Sequence, residues 1–186
     1  IGNLMLIKTS FYPSAVMWWI AFLFFTITGE RLEFSRYLNV SGLKQAILVS
    51  LLVLFIAGIL SPFHSAGGYI LGLSMTSAAL WLLKYDMAKH SLKKPGQAFY
   101  SGLLLLAAYV WLAITGLFMA YGSYYGLLYD AAIHSFFLGF VFSMIFAHAP
   151  MILPAVLKIN VNPFSRMLYI WFVFLQATLL LRVSGV

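Results

Sequence analysis

The residues best suited to chemistry lie on one apolar run, DAAIHSFFLGFVFSMIFAHAPMILP, residues 130–154, with His134 near one end and His148 near the other. The chain has four histidines and no cysteine. Disulfides, thiolate metal sites, iron–sulfur clusters and covalently attached haem are therefore excluded. Histidine, methionine and carboxylates remain as metal-capable side chains. An ionisable group inside a membrane is expensive and marks a functional site by default. His134 and His148 are 14 positions apart. On a continuous α-helix that places them ~21 Å apart and about 40° from the same face. At such different depths they cannot share one metal ion. They would serve two separate sites, or one or both would pack as neutral imidazoles.

His64 lies in a turn on the same side as His134, so the two could form a bis-histidine haem pair or share a copper. His90 sits in Lys-His-Ser-Leu-Lys-Lys and reads as solvated. Met75, Met144 and Met151 are thioether candidates, although methionine in apolar helices is usually filler. For His148 the packing reading has a definite form. Pro150 frees the Phe146 carbonyl one turn back, and a cross-helix bond there would make His148 part of a kink. The densest charge cluster is Gly29-Glu-Arg-Leu-Glu-Phe-Ser-Arg36, holding Glu30, Arg31, Glu33 and Arg36. Glu30, Glu33 and Arg36 fall on one helical stripe, which reads as an interfacial salt-bridge ladder. The functional alternative is a polar inlet, or an arginine holding a haem propionate. Arg182 could play that propionate role at the other end of the molecule, or simply snorkel.

These groups must be positioned by membrane-spanning helices. Hydrophobic residues make up 63% of the chain and charged ones 8%, against roughly 25% charged in soluble domains. The expected fold is all-α, a polytopic transmembrane helix bundle of six spans in one domain, residues 1–186. The spans are read at 14–29 (continuing as helix to 36), 43–60, 68–83, 99–121, 129–157 and 163–181, each near the ~20 residues a bilayer requires. Gly, Pro, Asn and Ser separate them. Arg31, Arg36, Lys44, Lys84, Lys89, Lys93, Lys94, Lys158 and Arg166 belong to the links after spans one, three and five; the other side holds Lys8 and Arg182. The positive-inside rule then puts those three links in the cytoplasm, with both termini outside. An initial residue other than methionine and an abrupt end at Val186 lead us to expect a fragment of a longer chain. The net charge of +7 fits loops facing anionic lipid rather than nucleic acid. No Gly-rich phosphate loop, Ser-His-Asp set or Glu-x-x-His motif occurs, so a hydrolase or ATP-driven machine is not expected.

The strings Thr28-Gly-Glu-Arg-Leu-Glu-Phe-Ser-Arg36, Tyr129-Asp-Ala-Ala-Ile-His134, Phe137-Leu-Gly-Phe-Val-Phe-Ser-Met-Ile-Phe-Ala-His-Ala-Pro150 and Leu179-Leu-Leu-Arg-Val183 resemble a group of bacterial polytopic membrane proteins. That group is similar, more distantly, to the NnrS family and to the catalytic subunit of haem–copper oxidases. The resemblance implies b-type haem or copper, with His134 and His148 as ligands, and electron transfer or nitric-oxide-related chemistry. The oxidase pattern has six histidines, including an adjacent pair, and about twelve spans. This chain departs from it in both respects, so a full oxygen- or nitric-oxide-reducing centre is not expected. The competing expectation is a cofactor-free accessory subunit that packs, in the lipid bilayer, against other membrane subunits of a larger respiratory or photosynthetic complex. A transporter fits least, because only the Pro150/Pro154 break suggests a discontinuous helix.

Overall fold

The structure is a computed structural model that describes residues 2–9, 12–62, 66–122, 126–158 and 163–185. Among the described residues all regular structure is helical. The long helices are α2 (Tyr12–Tyr37), α3 (Gly42–Leu60), α4 (Gly68–Tyr85), α6 (Gln97–Gly122) and α9 (Met167–Ser184). A further long rod comprises α7 (Gly126–His134), a π-helical segment (Ser135–Val141) and α8 (Phe142–Leu157). Two short helices, α1 (Gly2–Thr9) and α5 (Ala88–Ser91), complete the chain. Five stretches are long and apolar enough to cross a membrane: Ala15–Tyr37, Gly42–Leu60, Gln97–Gly122, Leu128–Leu157 and Met167–Ser184. The stretch expected as the third span forms helix α4. Its glycines, Ser74, Thr76, Ser77 and Lys84 dilute its apolarity, and it is not among the five.

Helix α6 is the axle of the bundle. It packs against α4, α5, α7, the π segment and α8, and buries Leu104, Ala108, Tyr109, Leu112 and Thr115 on the way. Helix α4 runs antiparallel to both α3 and α6 over its whole length. Toward its start Leu71 touches Gly58 of α3, and toward its end Trp81 Nε1 donates to the Lys44 carbonyl at 2.7 Å. On the α6 side, Thr76 Oγ1 donates to the Ala113 carbonyl at 3.3 Å. Gly72 and Gly116 face each other so closely that a Cβ on either would run into the backbone of the other helix. Small residues at such a crossing permit the van der Waals contact that drives helix association in lipid. A polar link ties in α9: Trp111 Nε1 donates to Gln176 Oε1 at 2.5 Å, and Gln176 Nε2 donates to Ser143 Oγ at 3.3 Å.

The π segment changes the rotation expected between the two histidines. Its hydrogen bonds run i→i+5, so each turn takes more residues than an α turn. Seven such residues set the downstream face back by roughly a third of a turn relative to continuous α-helix. His134 and His148 therefore keep their separation in depth and lose the shared face. The kink expected at Pro150 is also resolved differently. The cross-helix donor there is Ser101 Oγ, which reaches the Ala147 carbonyl at 2.6 Å rather than that of Phe146.

The glycine crossing makes a simple prediction. Gly116→Val must separate α4 from α6, with an overpacking penalty of about 1–3 kcal/mol. The melting temperature of the detergent-purified variant should fall clearly below that of Gly29→Val, a position where an added Cβ meets nothing within 4 Å. Equal melting temperatures would show the crossing to be looser than described.

Candidate functional site

Helix α2 presents Ile20, Phe24, Thr28, Arg31 and Ser35 to the interior, all buried, at spacings of three and four residues. Four of these are apolar or small. The fifth is a guanidinium, only 5% exposed. Glu30, Glu33 and Arg36 lie on the other side of the helix and are exposed. Among the described residues no ion pair joins them, so the expected ladder is not formed. The stripe is a solvated face, and the functional residue of this cluster is the one outside it.

Arg31 Nη2 donates to His148 Nε2 at 2.9 Å, joining α2 to α8 across 117 positions of sequence. His148 Nδ1 is 2.7 Å from the Met144 carbonyl. A carbonyl has no proton to give, so Nδ1 carries the hydrogen. A guanidinium has no lone pair, so Nε2 supplies one. The imidazole is thereby fixed as the neutral Nδ1–H tautomer. Its one ligating atom is occupied by Arg31.

Two further polar residues complete the cluster. Tyr109 of α6 is fully buried. Its hydroxyl is near both Asp86 and Arg31. Asp86 follows the last residue of α4 and is 4% exposed. Its Oδ2 accepts from the Ala88 N–H at 2.9 Å, while among the described residues neither Oδ1 nor Arg31 Nε has a hydrogen-bond partner. Helices α2, α6 and α8 and the end of α4 thus place Arg31, Tyr109, His148 and Asp86 together toward the lysine-rich end of the bundle.

A second, more open cluster stands at the opposite end. His134 Nδ1 donates to the Asp130 carbonyl at 2.9 Å, and the Asp130 carboxylate is 3.5 Å from the same nitrogen. Arg182 of α9 pairs with that carboxylate through Nη2, so Arg182 is a brace for Asp130. Nε2 of His134 has no hydrogen-bond partner among the described residues, and the side chain is 29% exposed. His64, the expected partner of His134, lies outside the described residues. Among the described residues no three His, Asp or Glu side chains converge as a metal-binding group. His90 is exposed, as its basic surroundings imply. Met75 is buried in the core, Met151 faces outward, and Met144 contributes its carbonyl to the site.

Sequence reasoning identified Arg31 and His148 separately and did not pair them. It missed Asp86 and Tyr109. The signal for Arg31 was its place on the Ile20–Phe24–Thr28 face, which forces the side chain inward. Asp86 carried the pattern of an aspartate bonding to a backbone N–H two residues on. Nothing in the sequence distinguishes Tyr109 from the chain's other tyrosines.

Together these features define an all-α protein with five helices fit to span a membrane and a polar centre enclosed among them. The chain belongs to the family described as Domain of unknown function (DUF8744), which it matches over residues 1–186. No curated protein and no solved structure matches it.

The pairing is open to a double-mutant cycle. Removing either partner of a hydrogen bond to a charged group should destabilise the protein by about 1.5–3 kcal/mol. His148→Ala should do so, as should Arg31→Leu. The double variant should lose less than the sum of the two, as read from detergent unfolding curves. Strict additivity would show that the two side chains do not depend on each other.

Proposed function

We propose that the chain is a six-span protein of the bacterial cytoplasmic membrane that binds b-type haem or copper through His134, in electron transfer or nitric-oxide-related chemistry. The observation that carries this reading is the support beneath His134. Its Nδ1–H is held by the Asp130 carbonyl, beside a carboxylate that Arg182 braces, and Nε2 has no hydrogen-bond partner among the described residues. Metal-ligating imidazoles are oriented in this way, by a carbonyl or carboxylate on the non-ligating nitrogen. One histidine whose Nε2 has no partner among the described residues could hold a haem iron or a copper ion. Once bound, the group would supply one-electron redox chemistry. His134 would ligate it, Asp130 would fix the imidazole tautomer, and Arg182 would hold Asp130 in place. His148 does not serve as a ligand here, because Arg31 occupies its Nε2.

The contacts of α4 support the sixth span. A helix held antiparallel to α3 at both ends and to α6 along its length returns the chain through the same thickness. With six spans the lysine-rich links fall on one side, which the positive-inside rule assigns to the cytoplasm. A second reading, an accessory subunit of a larger membrane complex, draws on α9. Of that helix only Phe172 and Leu179 are buried, and it turns Ile170, Trp171, Phe174 and Leu181 outward, a surface for lipid or for a neighbouring subunit.

The purified protein should show a Soret band or bound copper, and His134→Ala should lose it while His90→Ala retains it. A wild-type protein with neither, or an unchanged His134→Ala spectrum, would overturn the proposal.

A further inference from the structure

We propose that Lys44 and Lys84 form a binding site for the phosphate headgroup of one anionic phospholipid, at the membrane edge where α3 begins and α4 ends. The site requires that α3 spans the bilayer and is independent of any cofactor at His134.

The two lysines share one ring. Lys44 Nζ lies 5.1 Å from the centroid of Tyr85, and Lys84 Nζ lies 5.3 Å from it. Their charges are therefore within about 10 Å of each other, close to the screening length of physiological salt. The ring between them is fixed in turn. Trp81 packs against it with centroids 5.3 Å apart, and Trp81 Nε1 donates to the Lys44 carbonyl at 2.7 Å. Two exposed cations from different helices are thus held beside one anchored aromatic side chain.

Neither cation has a carboxylate to pair with. The chain holds four carboxylates, and the ion pairs among the described residues are those of Asp130. Asp86, next to Tyr85 in sequence, is buried, with Oδ2 on the Ala88 N–H. The segment that follows adds exposed Lys89, Lys93 and Lys94, and no acidic residue occurs again before Asp130. An aromatic face attracts a cation weakly, whereas two like charges at one ring repel. A shared anion relieves that repulsion, and lysine binds phosphate as a point charge.

The surface beneath the lysines selects a lipid over free phosphate. Helix α3 has 19 residues and Lys44 is the third of them. At about 1.5 Å per residue such a helix just crosses a ~30 Å hydrocarbon layer, which puts Lys44 at the polar boundary. Lys84 ends an exposed stripe of α4 that begins with Leu73 and Leu80. On α3, exposed Leu43 and Ile47 flank Lys44. A cationic pair above outward apolar side chains on two packed helices fits a ligand with an anionic head and apolar tails.

Native mass spectrometry of the delipidated, detergent-purified protein tests the site. Titration with phosphatidylglycerol should saturate one tight lipid per chain. Phosphatidylcholine should bind more weakly, and millimolar inorganic phosphate should not displace the bound lipid. Lys44→Gln/Lys84→Gln should weaken this binding about tenfold or more through loss of two headgroup cations. Lys93→Gln/Lys94→Gln loses the same net charge and should leave it nearly unchanged. Equal losses in the two double variants would reduce the effect to overall charge and overturn the proposal. So would equal binding of the two lipids, or displacement by inorganic phosphate. Lys44→Gln and Lys84→Gln taken singly, each expected to show part of the loss, keep the comparison decisive if the double variant fails to fold.

Discussion

A guanidinium cannot be left bare inside an apolar helix bundle, and the arrangement around Arg31 follows from that constraint. A buried charge needs hydrogen bonds and compensating charge. Arg31 donates to the imidazole of His148 on α8 and lies near the hydroxyl of Tyr109 on α6, which in turn is near the Asp86 carboxylate closing α4. No single helix could supply the set. The site exists only when α2, α4, α6 and α8 are assembled, so forming the bundle and forming the site are one event.

The packing of α6 makes that assembly specific. Glycines at positions 72 and 116 bring α4 and α6 together at one level. Trp111 lies against Gly139 of the π segment at another, where a Cβ would come within 2.5 Å of the indole. Because α6 is held at both points, Tyr109, two residues before Trp111, is held at a fixed height. The π segment has the complementary effect on the neighbouring rod. By altering the rotation between His134 and His148, it turns one toward α9 and the other toward α2. Two histidines on one apolar run thus enter two environments, one braced and accessible, the other neutral and enclosed.

Much of the fold was legible in the sequence, because apolar runs bounded by Gly, Pro and Asn leave little alternative to long helices. The helices α2, α3, α4 and α6 begin and end within a few residues of their expected limits. The start of the last helix was placed four residues early, at Pro163 rather than Met167. Less of the site could be read. Charge spacing pointed to Glu30, Glu33 and Arg36, yet burial selected Arg31, whose position is set by the apolar face it shares with Ile20 and Phe24. A π segment leaves no periodicity that an α-helical reading would detect. The partnership of residues 31 and 148 is tertiary, and spacing along a chain does not encode contacts between helices so far apart.

The central claim is that His148 is a neutral imidazole with its proton on Nδ1 and its Nε2 lone pair given to Arg31. Nitrogen-15 spectra of the histidine-labelled protein in lipid test it most directly. The account predicts an His148 Nε2 resonance of an unprotonated nitrogen that accepts a hydrogen bond, shifting in Arg31→Leu toward that of a free imidazole nitrogen. A protonated Nε2, a metal-coordinated one, or a resonance indifferent to Arg31 would contradict it.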